Sequence, residues 1–194
     1  MKSLLTYFFI TIPLFFYAQT QEATIYFNDG TSLFGYGEIY QEWKIKFRLT
    51  KDKKPDVWTD VMVSKIIFHG FEEDVEYRYL YKKEFSFRPF LLEVLTEGEV
   101  TLYADVFSSK VFIPFFSGNV ASLRTVTLPV ATKLYVKRDS EESITSINGA
   151  FKRKVKAYFH NCPILLEKVD NNEFTRMRII ELVNYYNDFC TKLD

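Results

Sequence analysis

Near residue 140 the spacing of apolar residues changes from every second position to every third or fourth, so one kind of element cannot account for the whole chain. Before the change, "WKIKFRLT" sets Trp43, Ile45, Phe47 and Leu49 on one face and Lys44, Lys46, Arg48 and Thr50 on the other. That is the pattern of a strand with one face buried. "VEYRYLYK" repeats it, with Val75, Tyr77, Tyr79 and Tyr81 opposite Glu76, Arg78, Leu80 and Lys82. After the change, Phe151, Val155, Tyr158 and Phe159 share one face of a helix, and Lys152, Arg153, Lys154 and Lys156 lie largely on the other. The expected class is α+β: an antiparallel β-barrel or small sandwich over residues 19–138, then a compact three-helix module over 139–194.

Turn signals divide the first part. "NDG" at 28–30, "KDKKPD" at 51–56, "HGFEED" at 69–74 and "EGE" at 97–99 separate the apolar runs, which number roughly eight or nine short strands. Two hairpins are expected, "ATIYF-NDG-TSLF" and "LLEVL-TEGE-VTLYA". The stretch 116–130, "FSGNVASLRTVTLPV", fits neither strand nor helix as a whole and reads as a long loop or arm.

In the second part, Pro163 suits the first turn of a second helix and would break the first. Asn172 is placed to cap a third helix from residue 173 to about 186, with Met177, Ile180, Val183 and Tyr186 as its apolar stripe.

The N-terminus, "MKSLLTYFFITIPLFFYA", has one cation, Lys2, an apolar run and a small residue, Ala18, before polar sequence: the layout of a signal peptide over 1–18. A helix over 4–17 would reach only about 21 Å, against roughly 30 Å of bilayer hydrocarbon, so a retained anchor is the poorer reading. No later run is long enough to span, and no transmembrane segment is expected in the mature chain. Loss of Lys2 from 25 basic and 25 acidic residues leaves the chain near neutral, without the basic excess of a nucleic-acid binder. The expected destination is the periplasm, the outer envelope or the medium.

The succession "IYFNDG", "GYGEI", "IKFR", "EYRYLY" and "EGEVTLY", followed by "FKRKVKAYFHNCPILLEKV" and "IIELVNYYNDFC", resembles a group of secreted bacterial proteins for which no activity is established. The resemblance spans nearly all the mature chain, and its most specific elements are the tyrosine–cysteine stretches ending at Cys162 and Cys190. It implies an exported location and a shared architecture, and it transfers no catalytic residue.

Cys162 and Cys190 are the only two cysteines. In an exported chain they are expected to form a disulfide. A bridge needs Cα atoms within about 7 Å, and a third helix running straight from 173 to 190 would overshoot the short second one. The chain is therefore expected to turn back after Tyr186, with Asn187 as a helix stop. A metal site from His160, the cysteines and His69 lacks the paired spacing of structural zinc, and no metal or other cofactor is expected. His160 reads as a surface residue near a helix end, and the run "FKRKVK" as a solvated face.

Trp58 breaks the alternation Val57, Thr59, Val61, Val63 and, with Tyr77, Tyr79 and Tyr103, is the candidate ligand-facing aromatic set for stacking on sugar rings. The competing reading of all four is packing. There is no G-x-S-x-G, H-E-x-x-H or phosphate-cradling glycine loop, and no catalytic residue is assigned. The chain is thus expected to be an exported, non-enzymatic envelope or surface protein acting in binding or assembly, its partner an envelope protein or a glycan. The alternative is a small hydrolase of envelope polysaccharide or peptide working through two facing carboxylates.

Overall fold

The computed structural model describes residues 20–70, 73–82, 88–117 and 120–191, with the backbone alone described over 106–117 and 120–132. The expected signal peptide, 1–18, lies outside them. The strands are β1 (Gln21–Phe27), β2 (Ser32–Tyr40), β3 (Lys44–Arg48), β4 (Asp56–Trp58), β5 (Val63–Phe68), β6 (Val75–Leu80), β7 (Phe90–Thr96), β8 (Val100–Ser117), β9 (Val120–Arg138) and β10 (Thr145–Ser146). Three α-helices follow, α1 (Phe151–Tyr158), α2 (Pro163–Asp170) and α3 (Ile179–Phe189), with a 3-10 turn at Arg176–Arg178 leading into the last. Both expected hairpins form. Gly30 closes the first at φ 86°, and Asp29 Oδ1 accepts the Thr31 amide at 2.9 Å.

The strands make one ten-stranded sheet in the order β10-β9-β8-β7-β6-β5-β1-β2-β3-β4. The expected closed barrel or two-sheet sandwich is corrected: the sheet is open. Its N-terminal end nevertheless curls. Flat, β6 and β3 would stand about 19 Å apart, four steps of roughly 4.8 Å. Yet Tyr79 donates its hydroxyl to Trp43 O, directly before β3, at 2.8 Å. The curl cannot close through β6, because β6 already pairs with β5 on one edge and β7 on the other. Side chains therefore seal the seam, and no ladder of backbone bonds does. Gly37 lets the curl tighten, since a Cβ there would sit 2.8 Å from Ile66 Cδ1. Ala23, Ile25, Ile45, Phe47, Ile66 and Phe68 fill the concave side.

The register shows which face the helices use. Ile25 pairs with Ile66, Ile66 with Tyr77, Tyr77 with Glu93, Glu93 with Ala104 and Ala104 with Leu134, so all six share one face. Ile25 and Ile66 belong to the curl's core, whereas Ala104 and Leu134 pack under the helices with Val155, Phe159, Leu165, Leu182, Val183 and Tyr186. One sheet face is thus covered twice, by its own curvature at one end and by helices at the other. On the reverse face Leu92, Tyr103, Tyr135 and Ile144 form a smaller cluster.

The first two helices lie where their periodicity places them, and the third does not. Asn172, expected as its N-cap, stands at φ 61° just past α2. There its amide donates to Val169 O at 3.3 Å and that of Glu173 to Lys168 O at 2.9 Å, the two bonds of a Schellman stop. α3 consequently begins at Ile179 and runs to Phe189, with Cys190 as its C-cap. The buried stripe is Ile179, Leu182, Val183 and Tyr186, while Met177 is 97 % exposed.

The expected reversal after Tyr186 is therefore also corrected. Cys162 caps the start of α2, Cys190 the end of α3, and the disulfide joins them with Cα atoms 5.6 Å apart. Two antiparallel helices of similar length bring those ends together without any turning back, because the later start of α3 removes the overshoot.

Candidate functional site

The four aromatic candidates do not form a common exposed surface. Trp58 pairs with Ile45 and so lies on the core side of the curl, edge-on to Phe27 with ring centroids 5.2 Å apart. It is Val57 that faces outward at the rim. Tyr77 and Tyr79 are half-buried against the same core, and Tyr77 donates to Glu93 Oε2 at 2.9 Å. Tyr103 is on the opposite face and 3 % exposed. Sequence alternation alone did not show that the strand carrying Trp58 runs beside Ile45.

The other residues weighed as ligands are committed elsewhere. Both cysteines are in the disulfide. His160 Nδ1 lies 3.2 Å from Ala157 O, on the surface at the end of α1. In the basic run, Lys156 pairs with Asp170 at 2.7 Å and Lys152 reaches Asp170 O at 3.3 Å, which ties α1 to the C-terminus of α2.

A cleft of about 780 Å³ opens beside β1, bordered by Gln21, Glu22, Tyr36, Lys51 and His69. His69 Nδ1 is 3.0 Å from Asp74 Oδ2 and its Nε2 2.8 Å from Thr24 Oγ1, with the exposed Phe34 ring stacked on the imidazole at 5.9 Å. A hydroxyl, a base and an orienting carboxylate in a row are the parts of an activated nucleophile. Acyl transfer also needs donors aimed at a developing oxyanion, and the His69 amide is spent on Glu22 O at 2.8 Å. Local spacing marks His69 only as a candidate metal ligand, because Thr24 meets it through the pairing of β1 with β5 and Asp74 across the β5–β6 hairpin.

The largest departure from an ordinary sheet is at β8 and β9. β7 pairs with β8 only as far as Ala104, and β10 with β9 only at Tyr135 and Val136. The β8–β9 pairing runs on from Asp105↔Lys133 to Ser117↔Val120. Beyond the body, then, stands a two-stranded ribbon with no further strand on either edge among the described residues. At about 3.3 Å per residue it projects roughly 40 Å. Of the stretch 116–130, read from sequence as a loop or arm, residues 116–117 and 120–130 are paired within this ribbon, and 118–119 lie outside the described residues. Pro114 and Pro129 obscure the strand signal, but a strand tolerates proline where its edge is open, and each of these strands has an open edge.

No family model matches the chain, and no curated protein and no solved structure is significantly similar to it. No helix among the described residues is long and apolar enough to cross a membrane.

Proposed function

We propose that the chain is an exported binding or assembly protein of the cell envelope, with the β8–β9 ribbon as its interaction arm. The observation that carries this reading is the pairing of β8 with β9 far beyond the last partner of either strand. A two-stranded ribbon exposing backbone donors and acceptors on both edges is marginal in water, so an arm of this length gains stability from what it touches. The disulfide is in keeping with an oxidising compartment, as are the leader-like sequence at 1–18 and the resemblance to secreted proteins.

The carboxylate hydrolase finds less support. A cleft of about 460 Å³ holds Glu141 and Glu142 beside Tyr81. Glu141 Oε2, however, already accepts from Tyr158 at 2.7 Å and from the Arg138 amide at 2.9 Å, which turns that carboxylate toward the helices.

Replacing 107–130 by a short turn and fractionating cells tests the reading. The shortened chain is expected to keep its melting temperature and to pass from the envelope fraction to the soluble exported fraction. An unchanged distribution, or recovery of the intact chain in the cytoplasm, refutes it.

A further inference from the structure

We propose that the far end of the β8–β9 ribbon docks on a bilayer surface carrying anionic phospholipid. This names the partner of the arm described above and rests on that reading.

The first support is charge. The whole chain has 25 basic and 25 acidic residues, yet 106–132 contains Lys110 and Arg124 and no Asp or Glu. The nearest carboxylate, Asp105, is at the ribbon's base, 3.9 Å from Lys133. An arm bearing cations without carboxylates is attracted to an anionic surface, by roughly fivefold in affinity for each cation near it.

The second is the order of residues along the ribbon. Between Lys110 and Arg124 no residue is charged, and "FIPFF" at 112–116 directly precedes the last paired position, Ser117↔Val120. From Pro114, opposite Leu123, to that end both strands are uncharged over about 10 Å at 3.3 Å per residue, the depth to which interfacial elements bury at the headgroup boundary. Arg124 is opposite Ile113 and Lys110 opposite Thr127, so both cations stand behind an uncharged end, toward the body. Apolar end first and cations behind it is the order of an element entering from the headgroup side.

The third support separates lipid from a second copy of the chain. A copy would add by strand pairing along the open edges, and Pro114 in β8 and Pro129 in β9 each remove a backbone donor. The same open edges forbid a full crossing, because unpaired backbone groups are not tolerated in hydrocarbon. Docking is therefore confined to one interface.

The test uses the full chain carrying Phe116→Trp as a reporter at the ribbon's end, so that the apolar stretch near the N-terminus does not enter the signal. With vesicles containing phosphatidylglycerol, the emission attributable to the new tryptophan is expected to shift to the blue and to be quenched by brominated lipid chains. Lys110→Gln combined with Arg124→Gln should weaken this about 30-fold, and raised salt should weaken it in the unsubstituted background. Emission unchanged by vesicles of any composition overturns the proposal. So does a blue shift that follows protein concentration without vesicles, which would assign the arm to a second copy. In either case loss of envelope retention in the shortened chain would still stand, separating failure of the lipid proposal from failure of the arm.

Discussion

The side chain of Asn187, inside α3, donates to Val100 O and accepts from Val100 N, both at 2.9 Å, at the first residue of β8. It supplies what a neighbouring strand would, and it docks the helix on the β7–β8 hairpin together with Asn184, which accepts from Thr96 Oγ1 at 2.5 Å. Gly98 makes room: a Cβ there would lie 2.3 Å from Asn187 Nδ2. Asn187→Ala is expected to cost about 2 kcal/mol, two bonds at roughly 1 kcal/mol each. Gly98→Ala should cost a similar amount alone and much less in the Asn187→Ala background, where the clash is gone. Urea melts of the four proteins check this, and strict additivity would contradict the contact.

The disulfide closes a separation of 28 residues between two buried caps. The chain-entropy model gives about 3–4 kcal/mol for a loop of that size. Cys162→Ala combined with Cys190→Ala should lower the denaturation midpoint accordingly. In the native protein neither sulfur should be alkylated by iodoacetamide under reductant until the helices open. Labelling as fast as that of an exposed thiol would show that the two caps are not packed as described.

Among the tyrosines whose hydroxyls are raised, three are raised most strongly. Burial, and then the Glu141 carboxylate to which it donates, raises the Tyr158 hydroxyl above the usual tyrosine range. Burial and then Glu93 do the same for Tyr77, and burial and then Asp60 for Tyr79. Each is raised in the folded state, so its contribution is full below the unfolded value of about 10 and is lost as pH rises above it. Stability should therefore fall steeply above about pH 10, by at most about 1.4 kcal/mol per tyrosine per pH unit. Tyrosinate absorbance should rise together with loss of the near-ultraviolet circular dichroism. Glu141→Gln should let Tyr158 ionise at lower pH.

The phase of α3 gives a direct contrast. Met177→Glu should change stability by less than about 0.5 kcal/mol, since Met177 is exposed, whereas Leu182→Ala should cost about 2–5 kcal/mol. Asn172→Gly should be neutral or mildly stabilising, and Asn172→Ala should cost about 1 kcal/mol, because φ 61° suits glycine and asparagine far better than alanine. Equal effects of Met177→Glu and Leu182→Ala would mean that the helix is rotated from this phase.

Local spacing by itself determined the α+β class, both hairpins and the first two helices, and the presence of only two cysteines determined the partnership of Cys162 with Cys190. Alternation, helical periodicity, turn residues and proline position all act over a few neighbours. What spacing misassigned was decided at longer range. Asn172 was equally suited to begin one helix or end another, and the stop it forms on α2 delayed α3 and rotated its buried face onto Leu182. Trp58 faced the core only because its strand lies beside Ile45, and His69 met Thr24 only through the pairing of β1 with β5. The sheet stayed open because β7 had already taken the edge of β6 that closure needed. The ribbon stands free for the complementary reason: both neighbouring strands end before β8 and β9 do, and where a neighbour ends is a property of the assembled sheet.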